Sequence, residues 1–129
     1  MTKFFLPLIL LFSVELHSSE NKWSKLFSGN GFTFFIDLSS LEIRNETRNI
    51  KLLIDNKEPN THGDSSSVIK REFQCKELMY RDWEKNFYKL NLGNGDKSRG
   101  SGKIEKPKWQ YFPPGSAGGE MIKAICMLE

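Results

Sequence analysis

Apolar and polar residues alternate along the middle of the chain, which is the pattern expected of half-buried β-strands. Residues 31–37 are aromatic and β-branched and follow a turn signal at Asn30, so they predict a strand that begins at a turn. Residues 38–40 break this run, residues 45–49 supply turn formers, and residues 50–54 predict the next strand. We interpret this region as an antiparallel meander.

A polar segment then interrupts the alternation. Residues 55–66 are rich in turn formers and predict a mobile loop. After the loop, Ile69, Phe73 and Cys75 fall on one face of a predicted half-buried strand. This strand would carry Cys75 toward the core.

Two further strands are predicted before the chain changes character. Leu78, Tyr80 and Asp82 would share one side of the first, and residues 87–92 would form the second. The glycine-rich residues 93–102 separate both from the C-terminal part.

The C-terminal pattern is helical. Residues 113–115 are Pro-Pro-Gly, a strong break, and Ser116 is a good helix cap. Residues 120–125 form a short helical run, at the end of which lies Cys126. Three apolar residues of this run have the spacing of a core-facing stripe: Met121, Ile122 and Ile125.

The N-terminus has the layout of a secretory signal peptide. Lys3 precedes an apolar run at residues 4–14, and small polar residues follow. The run is far shorter than the roughly 20 residues that a membrane-spanning helix requires. We therefore expect residues 1–18 to be cleaved, which leaves residues 19–129 as one exported domain without a transmembrane span.

The chain contains two cysteines, Cys75 and Cys126, and both belong to the part that remains after cleavage. Because an exported protein meets an oxidising environment, the pair favours a disulfide. The alternatives fit less well, since metal sites use three or four ligands at closer spacing and redox-active pairs are usually Cys-x-x-Cys.

The order of several short segments is similar to that of the surface-adhesin protein E family. These segments are Lys22-Trp23, residues 34–37 with 39–41, residues 67–75, Tyr80-Arg81, Trp109, and residues 114–116 ahead of Cys126. The resemblance spans nearly the whole mature chain. It implies an α+β domain in which a C-terminal α-helix is tethered by the Cys75–Cys126 disulfide to an antiparallel β-sheet. It also implies binding to extracellular or host matrix proteins.

Residues for catalysis are scarce. His62 is the single histidine of the mature chain, and it lies in a polar loop without a recognisable nucleophile. The neighbouring Asp55, Glu58 and Asp64 match no known spacing of metal ligands. Residues 93–100 lack the glycine positions of phosphate-binding loops and predict a flexible connection instead. We therefore expect neither an enzyme nor a bound cofactor.

A basic segment next to aromatic residues is the best candidate for a contact surface. Its residues are Lys97, Arg99, Lys103, Lys106, Lys108 and Trp109. Such a combination can bind acidic surfaces, although a solvated loop beside core aromatics would give the same pattern. The formal net charge is a mild +3 over the whole chain, so a nucleic acid partner is not expected.

Two functions share these features. The first is an exported, non-catalytic binding module that adheres to extracellular or host matrix proteins. The alternative is a periplasmic structural or envelope-assembly domain without a host ligand. Both place the protein in the periplasm or on the outer cell surface. Both also allow other envelope proteins, or a second copy of the chain in a homodimer, as partners.

Overall fold

The structure is a computed structural model that describes residues 22–129, so the predicted signal peptide lies outside the described residues. Seven antiparallel strands form one sheet, and one α-helix follows them. The strands are β1 (Ser24–Gly29), β2 (Phe32–Arg44), β3 (Thr47–Asn56), β4 (Ser66–Gln74), β5 (Met79–Tyr88), β6 (Gly102–Lys103) and β7 (Gln110–Tyr111). Helix α1 spans Ala117–Cys126. The predicted combination of sheet and C-terminal helix is confirmed, and the fold is mostly sheet.

Strands β1 to β5 lie in the sheet in the order in which they occur in the chain, and β6 and β7 both pair with β5. The predicted antiparallel meander is therefore confirmed. Gly31 closes the β1–β2 turn with φ 86°, a left-handed conformation that glycine adopts without steric cost.

Residues 38–40 do not end a strand, contrary to the prediction. Strand β2 continues through them, and its register with β3 shifts between Asp37 and Glu42. Side chains bridge the shift: Ser39 donates two hydrogen bonds to the Asp37 carboxylate, and Ser40 Oγ accepts one from the Lys51 N–H at 2.8 Å. A polar bulge inside one long strand thus gives the same sequence pattern as a break between two strands.

The prediction of a separate strand over residues 87–92 is wrong. Phe87 and Tyr88 end β5, and a 3-10 turn follows at Asn91–Gly93, within which Leu92 has φ 57°. Ser66 holds this turn against the sheet, because its hydroxyl donates to the Leu90 carbonyl at 2.6 Å and accepts from the Gly93 N–H at 2.9 Å. These bonds, which join residues distant in sequence, end the extended conformation.

The predicted loop is shorter than residues 55–66, because its first two residues belong to β3 and its last belongs to β4. Asp64 and Ser65 are buried. Asn60 Oδ1 accepts hydrogen bonds from the N–H groups of His62 and Asp64, at 2.9 and 3.0 Å. The connection is therefore a hydrogen-bonded turn with a buried side.

Helix α1 packs on one face of the sheet, here called the core face. The three residues predicted to face the core do so: Met121, Ile122 and Ile125 are at most 1% exposed. They join buried apolar residues from β2 to β5, which are Phe34, Ile36, Ile50, Leu52, Ile69, Phe73 and Tyr80. The core is thus a single layer between a sheet and one short helix.

Two glycines allow α1 to approach the chain before it. A Cβ on Gly118 would lie 2.4 Å from the Phe112 ring, and one on Gly119 would lie 2.5 Å from the Pro113 carbonyl oxygen. Each glycine makes a helix about 1 kcal/mol less favourable than alanine would. The Ser116 hydroxyl, the predicted cap, accepts a hydrogen bond from the Gly119 N–H at 3.1 Å.

The predicted disulfide joins Cys75 and Cys126, whose Cα atoms are 5.7 Å apart. Cys75 directly follows β4, and Cys126 is the last residue of α1. The bridge therefore fixes the end of the helix to the sheet.

Replacement of both cysteines by alanine is expected to lower the free energy of unfolding by about 4 kcal/mol, because the bridge closes a long loop in the unfolded chain. The sequence separation of the two cysteines is 51 residues. Urea denaturation of the variant and the oxidised protein measures the difference. An unchanged midpoint would show that the bridge does not stabilise the domain.

A buried ion pair lies between the helix and the sheet. The Arg71 guanidinium donates to both carboxylate oxygens of Asp82, at 2.5 and 3.1 Å, and both side chains are only 6% exposed. The guanidinium also lies 4.3 Å from the centre of the Tyr80 ring. Arg71 thus occupies an apolar layer because its charge is paired and stacked.

Asp82→Ala is expected to destabilise the protein by about 3–5 kcal/mol, because it leaves the Arg71 guanidinium buried without its partner. The double variant Arg71→Met with Asp82→Leu removes both charges, and much of the lost stability is expected to return. Chemical denaturation of both variants tests this coupling. A double variant that is less stable than Asp82→Ala would contradict it.

Candidate functional site

The predicted basic residues line one edge of the sheet. We call Lys97, Arg99, Lys103, Lys106 and Lys108 the basic edge strip. All five are exposed, whereas the neighbouring Trp109 is half-buried. The strip follows β5 because Lys97 is bridged to Tyr88, Lys103 is opposite Glu84 in β6, and Gln110 is opposite Tyr80 in β7.

The strip is elongated. From Tyr80 to Tyr88, β5 spans about 26 Å at the usual rise per residue. Lys97 and Arg99 lie near one end of this length, and Lys108 lies near the other, just before β7. The structure therefore arranges the predicted residues as a line of cations, which suits an extended or broad acidic surface.

Trp109 takes part in a stack of side chains at one end of the strip. The Arg81 guanidinium lies 4.2 Å from the centre of the Trp109 ring and 4.9 Å from that of Trp83. Glu72 Oε1 accepts hydrogen bonds from Arg81 Nε at 2.7 Å and from Trp83 Nε1 at 3.0 Å. One carboxylate oxygen thus orients both a cation and an indole.

The face of the sheet opposite α1, here called the open face, carries a row of charged residues. The register places Asp37, Lys51, Lys70 and Glu84 opposite one another across β2 to β5. A row of apolar residues lies beside it, and the 3-10 turn approaches this row: a Cβ on Gly93 would lie 3.3 Å from Val68 and 3.8 Å from Leu53. The 3-10 turn therefore covers one end of the open face. In the charged row Asp37 is buried, whereas Lys51, Lys70 and Glu84 are at least partly exposed.

Two grooves meet at this charged row. The larger, of about 730 Å³, includes Trp23, Tyr88 and Leu92 in its lining. The smaller, of about 420 Å³, is lined by Ser40, Glu42, Asn49, Ile50, Lys51, Lys70, Arg71 and Trp83. Lys51 and Lys70 contribute to both, so two cations lie where the grooves join.

A third cleft, of about 640 Å³, lies at the end of the basic edge strip around Asp64. Ser98 donates a hydrogen bond to the Asp64 carboxylate, and Lys89 Nζ lies 3.4 Å from it. The Ser98 hydrogen bond, opposed by desolvation and assisted by Lys89, holds the pKa of Asp64 below its ordinary value. The carboxylate is therefore a structural acceptor that ties two loops together.

The acidic residues near His62 do not converge. Asp55 accepts hydrogen bonds from Asn91 Nδ2 and the Leu92 N–H, at 3.1 and 2.7 Å. Within residues 22–129, no three side chains of histidine, cysteine, aspartate or glutamate are grouped closely enough to hold a metal ion. Among the same residues, no helix is long and apolar enough to cross a membrane.

Comparison with known families decides what kind of protein carries these surfaces. The model of the family described as surface-adhesin protein E matches residues 23–127. The chain belongs to this family. The resemblance inferred from the ordered segments is thereby confirmed over nearly all of the described residues.

Solved structures of Haemophilus influenzae protein E have the same fold. The selenomethionine form has a TM-score of 0.61 at 14% identity, covering 80% of this chain and 85% of that one. Crystal form II has a TM-score of 0.62 at 15% identity, with 82% and 87% covered. Protein E from non-typeable Haemophilus influenzae has a TM-score of 0.59 at 15% identity, with 82% and 76% covered. No curated protein sequence matches the chain.

Sequence reasoning missed the open face of this member of the adhesin family. Alternation in β3 and β4 could have placed Lys51 and Lys70 outward, but only the register shows that they are direct neighbours. Trp83 is 41% exposed, although tryptophans of a small domain more often pack into its core. It has no partner in β4, because the pairing shifts from Glu84 to Asp82 around it.

The depressed pKa of Asp64 predicts a pH-dependent contribution to stability. Folding favours the ionised carboxylate, so the contribution is complete above the ordinary pKa of 3.8 and is lost as the pH falls through the lower folded value. Asp64→Asn is thus expected to be less stable than the natural chain at pH 7, with a difference that shrinks below about pH 4.

Denaturation at several pH values between 7 and 3 measures this difference. Asp96→Asn serves as the matched control, because Asp96 is an exposed carboxylate in the loop that carries Ser98. A stability difference for Asp64→Asn that stays constant down to pH 3 would contradict the assignment.

Proposed function

We propose that the protein is an exported, non-catalytic adhesion module that binds extracellular or host matrix proteins at the bacterial surface. The family match over residues 23–127 carries the proposal, because members of this family are described as surface adhesins. The predicted signal peptide is consistent with export to the surface. The basic edge strip and Trp109 supply the contact surface.

The charges of the strip favour an acidic partner. The cations of residues 97–108 are exposed, and within the described part of the chain none of the strip's five side chains forms an ion pair within 4.0 Å. Their ammonium and guanidinium groups are therefore available to carboxylates of a second protein. The strip runs along β5, which is a strand of the sheet. A partner can therefore contact its cations without any rearrangement of the core.

The first test is where the protein lies. Protease treatment of intact cells, compared with cells whose outer layer has been opened, is expected to digest the protein in both. Protection until opening would contradict surface adhesion and favour the periplasmic envelope-assembly alternative.

The second test concerns the strip itself. The triple variant Lys103→Gln, Lys106→Gln and Lys108→Gln is expected to bind immobilised matrix proteins about tenfold less tightly, because three exposed charge contacts are lost. Surface plasmon resonance of the purified domain measures the change.

The matched control is Lys25→Gln, Lys57→Gln and Lys76→Gln, which removes the same charge from exposed positions outside the strip. Equal losses in both triple variants would show that net charge, and not the strip, determines binding.

A further inference from the structure

The groove beside Trp83 on the open face has the features of a built binding site. Its volume of about 420 Å³ suits one or two sugar-sized units of a ligand. Its lining includes the Trp83 indole, the two cations Lys51 and Lys70, and the neutral polar side chains of Asn49 and Ser40. Glu42 is the one carboxylate of the lining, and it lies 3.9 Å from the Arg44 guanidinium. Basic edge strip residues do not line it.

Trp83 is exposed but fixed. Its Nε1 donates to Glu72 at 3.0 Å, and the Arg81 guanidinium lies 4.9 Å from its ring centre. An exposed side chain usually loses rotamer freedom on binding, and a side chain that is already held loses less. Trp83 is therefore a preorganised flat surface with partial negative charge on its ring face.

Lys51 and Lys70 are direct cross-strand partners, which places two like charges side by side. Such pairs destabilise a sheet unless something compensates them. Lys70 lies 3.6 Å from Glu84, whereas Lys51 has no ion pair with any residue of the described range 22–129. The Asp37 carboxylate, opposite Lys51, accepts instead from Ser39. An anion between the two lysines would relieve the repulsion.

We propose that this groove binds an acidic oligosaccharide of the extracellular matrix, a sulfated or uronate-bearing glycan chain. The apolar C–H face of one pyranose ring stacks on Trp83, and its carboxylate or sulfate lies between the ammonium groups of Lys51 and Lys70. The chain continues past these lysines into the larger groove, which Trp23 lines.

The combination of an indole wall and a pair of cations favours a glycan over an acidic peptide. A peptide would satisfy the cations but has no recurrent ring with polarised C–H groups for the indole. The inference rests on the proposed function in one respect: that function is the reason for taking the glycan from the extracellular matrix. Binding by the purified domain does not depend on where the protein lies in the cell, so the two proposals can fail separately.

The test is isothermal titration of the purified mature domain with a heparin-derived hexasaccharide. Trp83→Ala is expected to weaken binding about tenfold, the loss of one stacking contact. Lys51→Gln with Lys70→Gln is expected to weaken it about five- to tenfold. This double variant removes both the like-charge pair and the Lys70–Glu84 contact, so its melting temperature is expected to stay close to that of the natural chain, and thermal denaturation checks that it is folded.

The matched control is Lys57→Gln with Lys76→Gln, which removes the same charge from exposed positions outside both grooves and the basic edge strip, and which should leave hexasaccharide binding within about twofold. Equal losses of hexasaccharide affinity in the two double variants would contradict the groove as the binding site, because binding would then depend on net charge alone. Equally tight binding of a hexaglutamate peptide, or of an envelope polysaccharide in place of the matrix glycan, would overturn the ligand assignment. Absence of hexasaccharide binding would overturn the inference while leaving protein adhesion through the strip intact.

Discussion

The helix-to-sheet junction determines most of this structure. Helix α1 has ten residues and begins with two glycines after its first alanine, so it would be marginal as an isolated helix. It is fixed at both ends: Ser116 caps its first turn, and the Cys75–Cys126 bridge holds its last residue. Because this helix covers the core face, the apolar residues of β2 to β5 depend on its position for their burial.

The same arrangement explains why the open face can carry function. One face of the sheet supplies the core, and the other needs only local cover, which the 3-10 turn at Asn91–Gly93 gives to Leu53 and Val68. The rest of the open face accommodates charged rows, grooves and an exposed indole without loss of core packing. Bulges in β2 and β5 shape these grooves, since they place Ser40 and Trp83 at the edges.

Much of the fold was predictable, because local chemistry and tertiary structure agree in the meander, the capped helix and the cysteine pair. The failures have physical causes. Residues 38–40 look like a break because two of them are serines, which also occur in loops. Here the Ser39 hydroxyl donates to the Asp37 carboxylate and the Ser40 hydroxyl to the Asp37 carbonyl. Residues 87–92 look like a strand because bonds from distant Ser66 are not visible in the local pattern. Cross-strand neighbours such as Lys51 and Lys70 depend on register, which alternation alone does not supply.

The order of the strands also has a kinetic consequence. Strands β1 to β5 each pair with the next strand in the chain, so most of the sheet consists of hairpins, whose loops cost less entropy to close than pairings between strands far apart in the chain. The helix meets β3 and β4 from the far end of the chain. We therefore expect the hairpins to assemble first and to bring the strand end bearing Cys75 into place before α1 docks. The ordered sheet and the docking helix would then bring the two thiols together, and the bridge would form in a nearly finished domain.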